Sequence, residues 1–217
     1  MADVQNVCAG PFGAAYDFYI EREWLSYPIG RLIWGIDTRP FYASFRAIAE
    51  VREGGTIIDT PCGGGVGFRA LSPDQDVRYL AADLADDMLV RARKRAHRLG
   101  LPQVEVVAAD MCELPFDDQV ADLVLSYSGL HCVHSPQRAV QEAVRCLKPG
   151  GRLVGTTFLA SGTRRKRLLF ELGRRRGHPM PTFEAGELRG WLAAAGISEP
   201  AVGAESGFVT FSGRKPL

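Results

Sequence analysis

The feature of this sequence with the clearest chemical consequence is an acid followed at once by glycines, in Thr56-Ile57-Ile58-Asp59-Thr60-Pro61-Cys62-Gly63-Gly64-Gly65-Val66-Gly67. A short apolar run ending in a carboxylate reads as a strand with Asp59 at its end, and the glycines let a ligand approach the backbone of the turn that follows. Gly65-x-Gly67-x-x-Ala70 also satisfies a loose dinucleotide pattern. A pyrophosphate, however, has to be received by the loop amides and a helix terminus, and a carboxylate at the strand end repels it. A ligand with an ammonium and a sulfonium is attracted instead. S-adenosylmethionine carries both and has no phosphate.

These residues resemble the first motif of the class I S-adenosylmethionine-dependent methyltransferases, an acid, two spacers, a small residue and Gly-x-Gly, here Asp59-Thr60-Pro61-Cys62-Gly63-Gly64-Gly65. Pro61 departs from the glycine common there, and a proline offers neither an amide donor nor a left-handed backbone. Gly63 and Gly65 keep the close approach. Further motifs follow in order. Leu80-Ala81-Ala82-Asp83-Leu84-Ala85-Asp86-Asp87-Met88-Leu89 is similar to the second motif, whose acid accepts both ribose hydroxyls, and Asp110-Met111 is similar to the adenine site, a carboxylate for the exocyclic amine beside an apolar side chain. Asp122 to Tyr127 resembles the fourth-strand motif bordering the methyl group, and Leu147-Lys148-Pro149-Gly150-Gly151-Arg152-Leu153 the turn into the fifth strand. The resemblance implies S-adenosylmethionine as cofactor, with Asp59, Gly63 and Gly65 at its methionine portion, Asp83, Leu84 and Met88 around the ribose, Asp110 and Met111 at adenine, and Ser126 near the methyl group.

Methyl transfer from a sulfonium is an in-line displacement that alignment largely achieves, and a base is required only when the nucleophile arrives protonated. His131, in Ser128-Gly129-Leu130-His131-Cys132-Val133-His134, stands where a base belongs and is the candidate catalytic residue; the alternative is a structural histidine bonded to backbone. Tyr127 would line the acceptor pocket on the same rim. Ser126-Tyr127-Ser128-Gly129 lacks the Asn/Asp-Pro-Pro-aromatic run of enzymes that methylate exocyclic amines of bases, so DNA is not an expected partner. The resemblance is closest to the branch acting on quinones, sterols and natural products.

The elements that must position these residues follow a βαβ rhythm. Strands are expected at Thr56 to Asp59, Val77 to Asp83, Val104 to Asp110, Ala121 to Tyr127 and Arg152 to Phe158, and helices at Leu84 to Leu99, stopped by Gly100, and at Pro136 to Leu147, with Ser135 as N-cap. Thr182 precedes a helix running to Ala195, followed by strand-like runs at Pro200 to Ala204 and Gly207 to Gly213. The strands are apolar throughout, as a parallel sheet covered on both faces requires. Before them, Gly10 to Phe45 contains ten of the chain's 20 aromatics, Phe12, Tyr16, Phe18, Tyr19, Trp24, Tyr27, Trp34, Phe41, Tyr42 and Phe45. These fit helices packed on the body, or a lid walling an apolar pocket. A helix start is expected at Thr38, with apolar spacing up to Val51.

The expected fold is α/β: a Rossmann-like, seven-stranded methyltransferase sheet, mostly parallel with one antiparallel strand and helices on both faces. The 217 residues are expected to form one domain, with a helical lid segment at 1–53, a cofactor-binding core at 54–158, and a basic insertion, helix and terminal strands at 159–217. The formal net charge of +1 provides no global field for a polyanion, and the five cysteines contain no C-x-x-C pair, which disfavours a disulfide frame or zinc knuckle; no metal is expected. With no basic-then-apolar leader and no bilayer-length apolar run, a cytoplasmic location is expected. Positions 164–176 carry seven basic residues and one acid. They read as an amphipathic helix with a wet basic face, or as a contact for an anionic acceptor, RNA or a membrane surface. The expected activity is methyl transfer to a small, apolar molecule; the alternatives are an RNA-modifying methyltransferase using 164–176 and a non-catalytic cofactor-binding partner subunit.

Overall fold

The computed structural model describes residues 18–34, 36–159, 168, 171, 172, 175, 182–205 and 208–217. Phe12, Tyr16 and nearly all of the basic 164–176 segment lie outside the described residues. Three short helices, α1 (Glu23–Ile29), α2 (Arg39–Ser44) and α3 (Arg46–Ala49), precede the sheet, with a π-helical turn at Gly30–Trp34 after α1. Then come β1 (Gly55–Asp59), a 3₁₀ turn (Val66–Ala70), β2 (Val77–Asp83), α4 (Asp86–Leu99), β3 (Val104–Ala108), β4 (Ala121–Tyr127), α5 (Pro136–Cys146), β5 (Leu147–Phe158), α6 (Ala185–Ala194), β6 (Ser198–Glu205) and β7 (Phe208–Arg214).

The seven strands form one sheet in the order β3-β2-β1-β4-β5-β7-β6. The first five are parallel, and β7 runs antiparallel to both neighbours, β5 and β6. From β1 the chain winds outward to β2 and β3, then returns to β4 and β5 on the other side. The order therefore reverses between β1 and β4, and the crevice beyond their carboxyl ends is where open α/β sheets take ligands.

Several boundaries differ from the sequence reading for local reasons. The second-strand helix starts at Asp86 rather than Leu84, because the Asp83 carboxylate accepts the Ala85 N–H at 2.9 Å and holds Leu84 and Ala85 outside the helix. Asp86 and Asp87 then oppose the positive helix end, and Gly100 closes α4 in the left-handed region with φ 65°. β3 stops at Ala108, short of Asp110, whose Oδ1 instead accepts the Cys112 N–H at 2.8 Å. β5 begins at Leu147, five residues early. Its pairing jumps from Ala121↔Leu147 to Leu123↔Arg152, and this irregularity absorbs the Lys148-Pro149-Gly150-Gly151 turn. Ser135 precedes α5 without a side-chain cap, and α6 is capped not near Thr182 but by a reciprocal Glu184–Glu187 box. The expected helix after Thr38 is two helices broken at Phe45.

One face of the sheet packs Ile58, Leu80, Val124 and Leu153 against α5 and α6; the other packs Ile57, Tyr79, Leu123, Leu125 and Val154 against the first helices and α4. Phe41, Tyr42 and Phe45 are core, whereas Trp24 and Phe18 are 74% and 53% exposed. The Tyr42 hydroxyl donates to the Ile20 carbonyl at 2.8 Å and lies 2.7 Å from Ser26 Oγ, and Arg95 of α4 pairs with Glu21, so the leading segment is tied to the body by buried polar contacts.

Candidate active site

Three of the four glycines that follow β1 are glycine for different reasons. Gly63 has φ 54°, its N–H donates to Asp83 Oδ2 at 2.8 Å, and a Cβ there would meet nothing within 4 Å, so its outer face is open to a ligand. Gly65 has φ 79°, and a Cβ there would come within 2.3 Å of the Phe68 ring. Gly67 makes room for a buried pair: a Cβ would sit 2.7 Å from the Tyr79 hydroxyl and 3.2 Å from Asp59 Oδ2. Sequence reasoning gives Gly63 and Gly65 one role, and the structure separates them. Pro61 compensates its missing amide with packing, since its ring lies so close to Gly129 that a Cβ there would be 2.0 Å from Pro61 Cδ. The loops after β1 and β4 thereby meet at the crevice.

Asp59 is 1% exposed, below the glycine loop rather than on its surface. Tyr79, fully buried in β2, donates its hydroxyl to Asp59 Oδ2 at 2.8 Å. Burial raises the Asp59 carboxyl to about 7, and the nearby Asp83 charge adds to this, against the lowering effect of the Tyr79 bond. Among the described residues Asp59 Oδ1 has no hydrogen-bond partner, and neither do the buried hydroxyls of Thr60, Ser126 and Thr156. Buried polar atoms are ordinarily paired. These four stand at or just beyond the carboxyl ends of β1, β4 and β5, as a polar ligand seated in the crevice would require.

Asp83 is 8% exposed and receives the Gly63 and Ala85 amides on separate oxygens. Leu84, held out of the helix, is 46% exposed and offers apolar surface beside it. Met88 and Met111 are buried, at 6% and 3%. Asp110 is partly exposed, and its Oδ2 lies 3.9 Å from His134 Nδ1. Asp110, Cys112 and His134 bring donor atoms within 4.8 Å of one another, but the Cys112 thiol is committed to the Ser135 carbonyl at 3.4 Å, and burial raises it to about 11. A protonated thiol is a poor metal ligand.

On the acceptor side, Ser128 is a non-glycine residue at φ 54° that turns the chain sharply after β4, and His131 follows on the loop. Its ring stands edge-on to Phe158 with centroids 5.1 Å apart, and Nδ1 is 3.3 Å from Thr157 Oγ1. The Thr157 hydroxyl donates to the Phe158 carbonyl at 3.3 Å. That assigns the imidazole proton to Nδ1 and leaves the Nε2 lone pair available. Burial lowers His131 to about 4, which keeps it neutral at physiological pH. Beside it, Tyr127 packs edge-on against Phe41 and Phe45, with centroids 5.2 and 5.0 Å away, and accepts a 3.1 Å hydrogen bond from Ser44. Tyr79 and Thr157 escaped the sequence reading. The available signal for Tyr79 was a tyrosine inside a strand too apolar to satisfy its hydroxyl.

Residues 58–155 match the protein family described as "Methyltransferase domain". The chain is 40% identical over 116 residues to the demethylmenaquinone methyltransferase of Clavibacter sepedonicus, covering 54% of this chain and 46% of that protein. It is 37% identical over 109 residues to the ubiquinone/menaquinone biosynthesis C-methyltransferase of Roseobacter denitrificans, covering 49% and 44%. The chain spans less than half the length of these curated relatives. Its fold is similar to that of a phosphoethanolamine N-methyltransferase of Haemonchus contortus, with a TM-score of 0.78, 15% identity, and coverage of 100% of this chain and 61% of the other, in a complex with S-adenosyl-L-methionine. The match over residues 58–155, these relatives and the shared fold together support a class I S-adenosylmethionine-dependent methyltransferase.

Proposed function

We propose that this protein transfers a methyl group to a small, apolar ring acceptor of the quinone kind. The observation that carries the reading is the aromatic cluster Phe41–Phe45–Tyr127 at the carboxyl end of β4, followed in the chain by Gly129, which packs on Pro61 of the glycine loop, and by the neutral His131. The names of the Clavibacter and Roseobacter relatives support a quinone-type acceptor. S-adenosylmethionine supplies an electrophilic methyl group on a positively charged sulfur. Asp83 would hold the ribose hydroxyls, Leu84 and Asp110 the adenine, and Asp59 and Gly63 the methionine end, while Ser126 offers its unpaired hydroxyl nearby. The aromatic wall would exclude water and fix the acceptor ring for in-line attack, an alignment worth up to about 7 to 11 kcal/mol. His131 Nε2 would take the proton that a ring carbon or hydroxyl releases as its new bond to carbon forms. At a pKa near 4 the imidazole is a weak base, suited to receiving a proton from an acceptor already made acidic by the transfer.

The test is mass analysis of products after incubation with isotopically methyl-labelled S-adenosylmethionine and reduced naphthoquinones and benzoquinones, with short RNA as a parallel acceptor. Labelled quinol is the expected result. Label in RNA alone, or no transfer to any acceptor despite cofactor binding, would contradict it. Replacing His131 by Gln should lower kcat about a hundredfold and leave cofactor affinity unchanged; an unaltered kcat would make the ring part of the scaffold.

A further inference from the structure

The Asp59–Tyr79 pair lies beneath the loop, and among the described residues no cation is one of the groups acting on the Asp59 carboxyl. Around the Asp59 carboxyl stand Tyr79, hydrogen-bonded from β2, and the Asp83 carboxylate at the end of the same strand. Asp59 in turn acts on the Cys62 thiol of the loop and the Tyr127 hydroxyl of β4, raising both. Phe68 closes the pair off with its ring edge-on to Tyr79 at 5.3 Å, and Gly67 lies directly over both. The two carboxyl oxygens are unequal: Oδ2 is bonded to Tyr79, whereas Oδ1 is buried and unpartnered. A negative charge confined there, next to a second carboxylate, is unfavourable until a positive charge arrives. The open face at Gly63 is where one would arrive.

Resting on the cofactor reading above, we propose that Asp59 is a proton-linked counter-ion: it is protonated in the cofactor-free protein at slightly acid pH and releases that proton to solvent when a ligand bearing an ammonium or sulfonium settles over the loop, with Tyr79 as the positioning residue that occupies Oδ2 and leaves Oδ1 to hold and lose the proton. One O–H bond breaks, the proton leaves to buffer, and the carboxylate formed is balanced by the ligand's charge. Cofactor affinity then rises with pH up to the point where Asp59 is ionised without help, which the burial of this carboxyl places near 7.

The experiment is calorimetric titration of the full chain at pH 5.5 and 6.5 in paired buffers of different ionisation enthalpy, from which the number of protons released is read. The ligands are S-adenosylmethionine, S-adenosylhomocysteine and methylthioadenosine, the last lacking the amino acid and the sulfonium. In this range a ligand α-amino group, with a pKa of about 7.7 to 8.0, is already protonated, and His131, lowered to about 4, is already neutral. The expected result is release approaching one proton with S-adenosylmethionine, affinity rising by up to about tenfold per pH unit, and neither effect with methylthioadenosine. Asp59→Asn should abolish the release. Tyr79→Phe should move the midpoint to higher pH, because it removes the bond that favours the carboxylate, and a purely structural tyrosine would leave the midpoint in place. The wild-type buffer comparison stands even if either variant fails to fold. Tight binding without proton release, or release unchanged in Asp59→Asn, overturns the proposal and leaves the cofactor reading intact. Failure of all three ligands to bind at either pH overturns both.

Discussion

At the scale of single residues, the site is governed by groups whose charge is set by burial. Asp59 is raised to about 7. The folded, cofactor-free chain therefore keeps a proton between about pH 4 and 7 that the unfolded chain has already released, and this contribution to stability is lost as pH rises through that window. His131, lowered to about 4, acts in the opposite sense, because there the unfolded chain holds the extra proton up to its ordinary value. Subtracting the urea-denaturation profile of Asp59→Asn from that of the wild type isolates the first effect. The difference should slope downward by a few kcal/mol from pH 4 to 7, and a flat difference would show that Asp59 is ionised throughout. Asp83 belongs to the same scale. Replacing it with Ala should weaken S-adenosylmethionine binding by about 1.5 to 3 kcal/mol for each charge-assisted hydrogen bond lost, measured by calorimetry, and unchanged affinity would remove it from the ribose site.

At the scale of elements, the loop after β1 fits its neighbours as closely as it fits a ligand. Gly67→Ala would push a methyl group into the Tyr79 hydroxyl and should cost about 1 to 3 kcal/mol. The double variant with Tyr79→Phe should recover part of that loss in denaturant titrations, and strict additivity would mean the clash lies elsewhere. The same loop shows what was readable in advance. Apolar runs marked β2, ending in Asp83, and β4, ending in Tyr127, to the residue, because a buried strand needs largely apolar sequence. The acids Asp59 and Asp83 at the ends of β1 and β2 were legible because a strand end takes a polar stop. The purposes of the glycines were not, because Gly65 and Gly67 answer to Phe68 and Tyr79, partners known only once the strands are in register.

At the scale of the whole molecule, the helices before β1 complete the side of the sheet that would face an acceptor. Phe41 and Phe45 are held against Tyr127, while Arg95 on α4 holds Glu21 and Arg69 donates to the Glu21 carbonyl at 3.3 Å. These aromatics are core, and under the proposed function the same rings would wall the acceptor pocket. Phe45→Ala should therefore destabilise the chain by about 3 to 5 kcal/mol and also raise the KM for an apolar acceptor; loss of stability with an unaltered KM would confine the cluster to a structural role.

The charge argument at the strand-end crevice is tested most directly by titrating the protein with S-adenosylmethionine and, separately, with NADH. An acid beneath an open glycine loop predicts saturable binding of the sulfonium compound, weakened in Asp83→Ala, and no binding of the dinucleotide. Binding of NADH with S-adenosylmethionine excluded would contradict the account at its root.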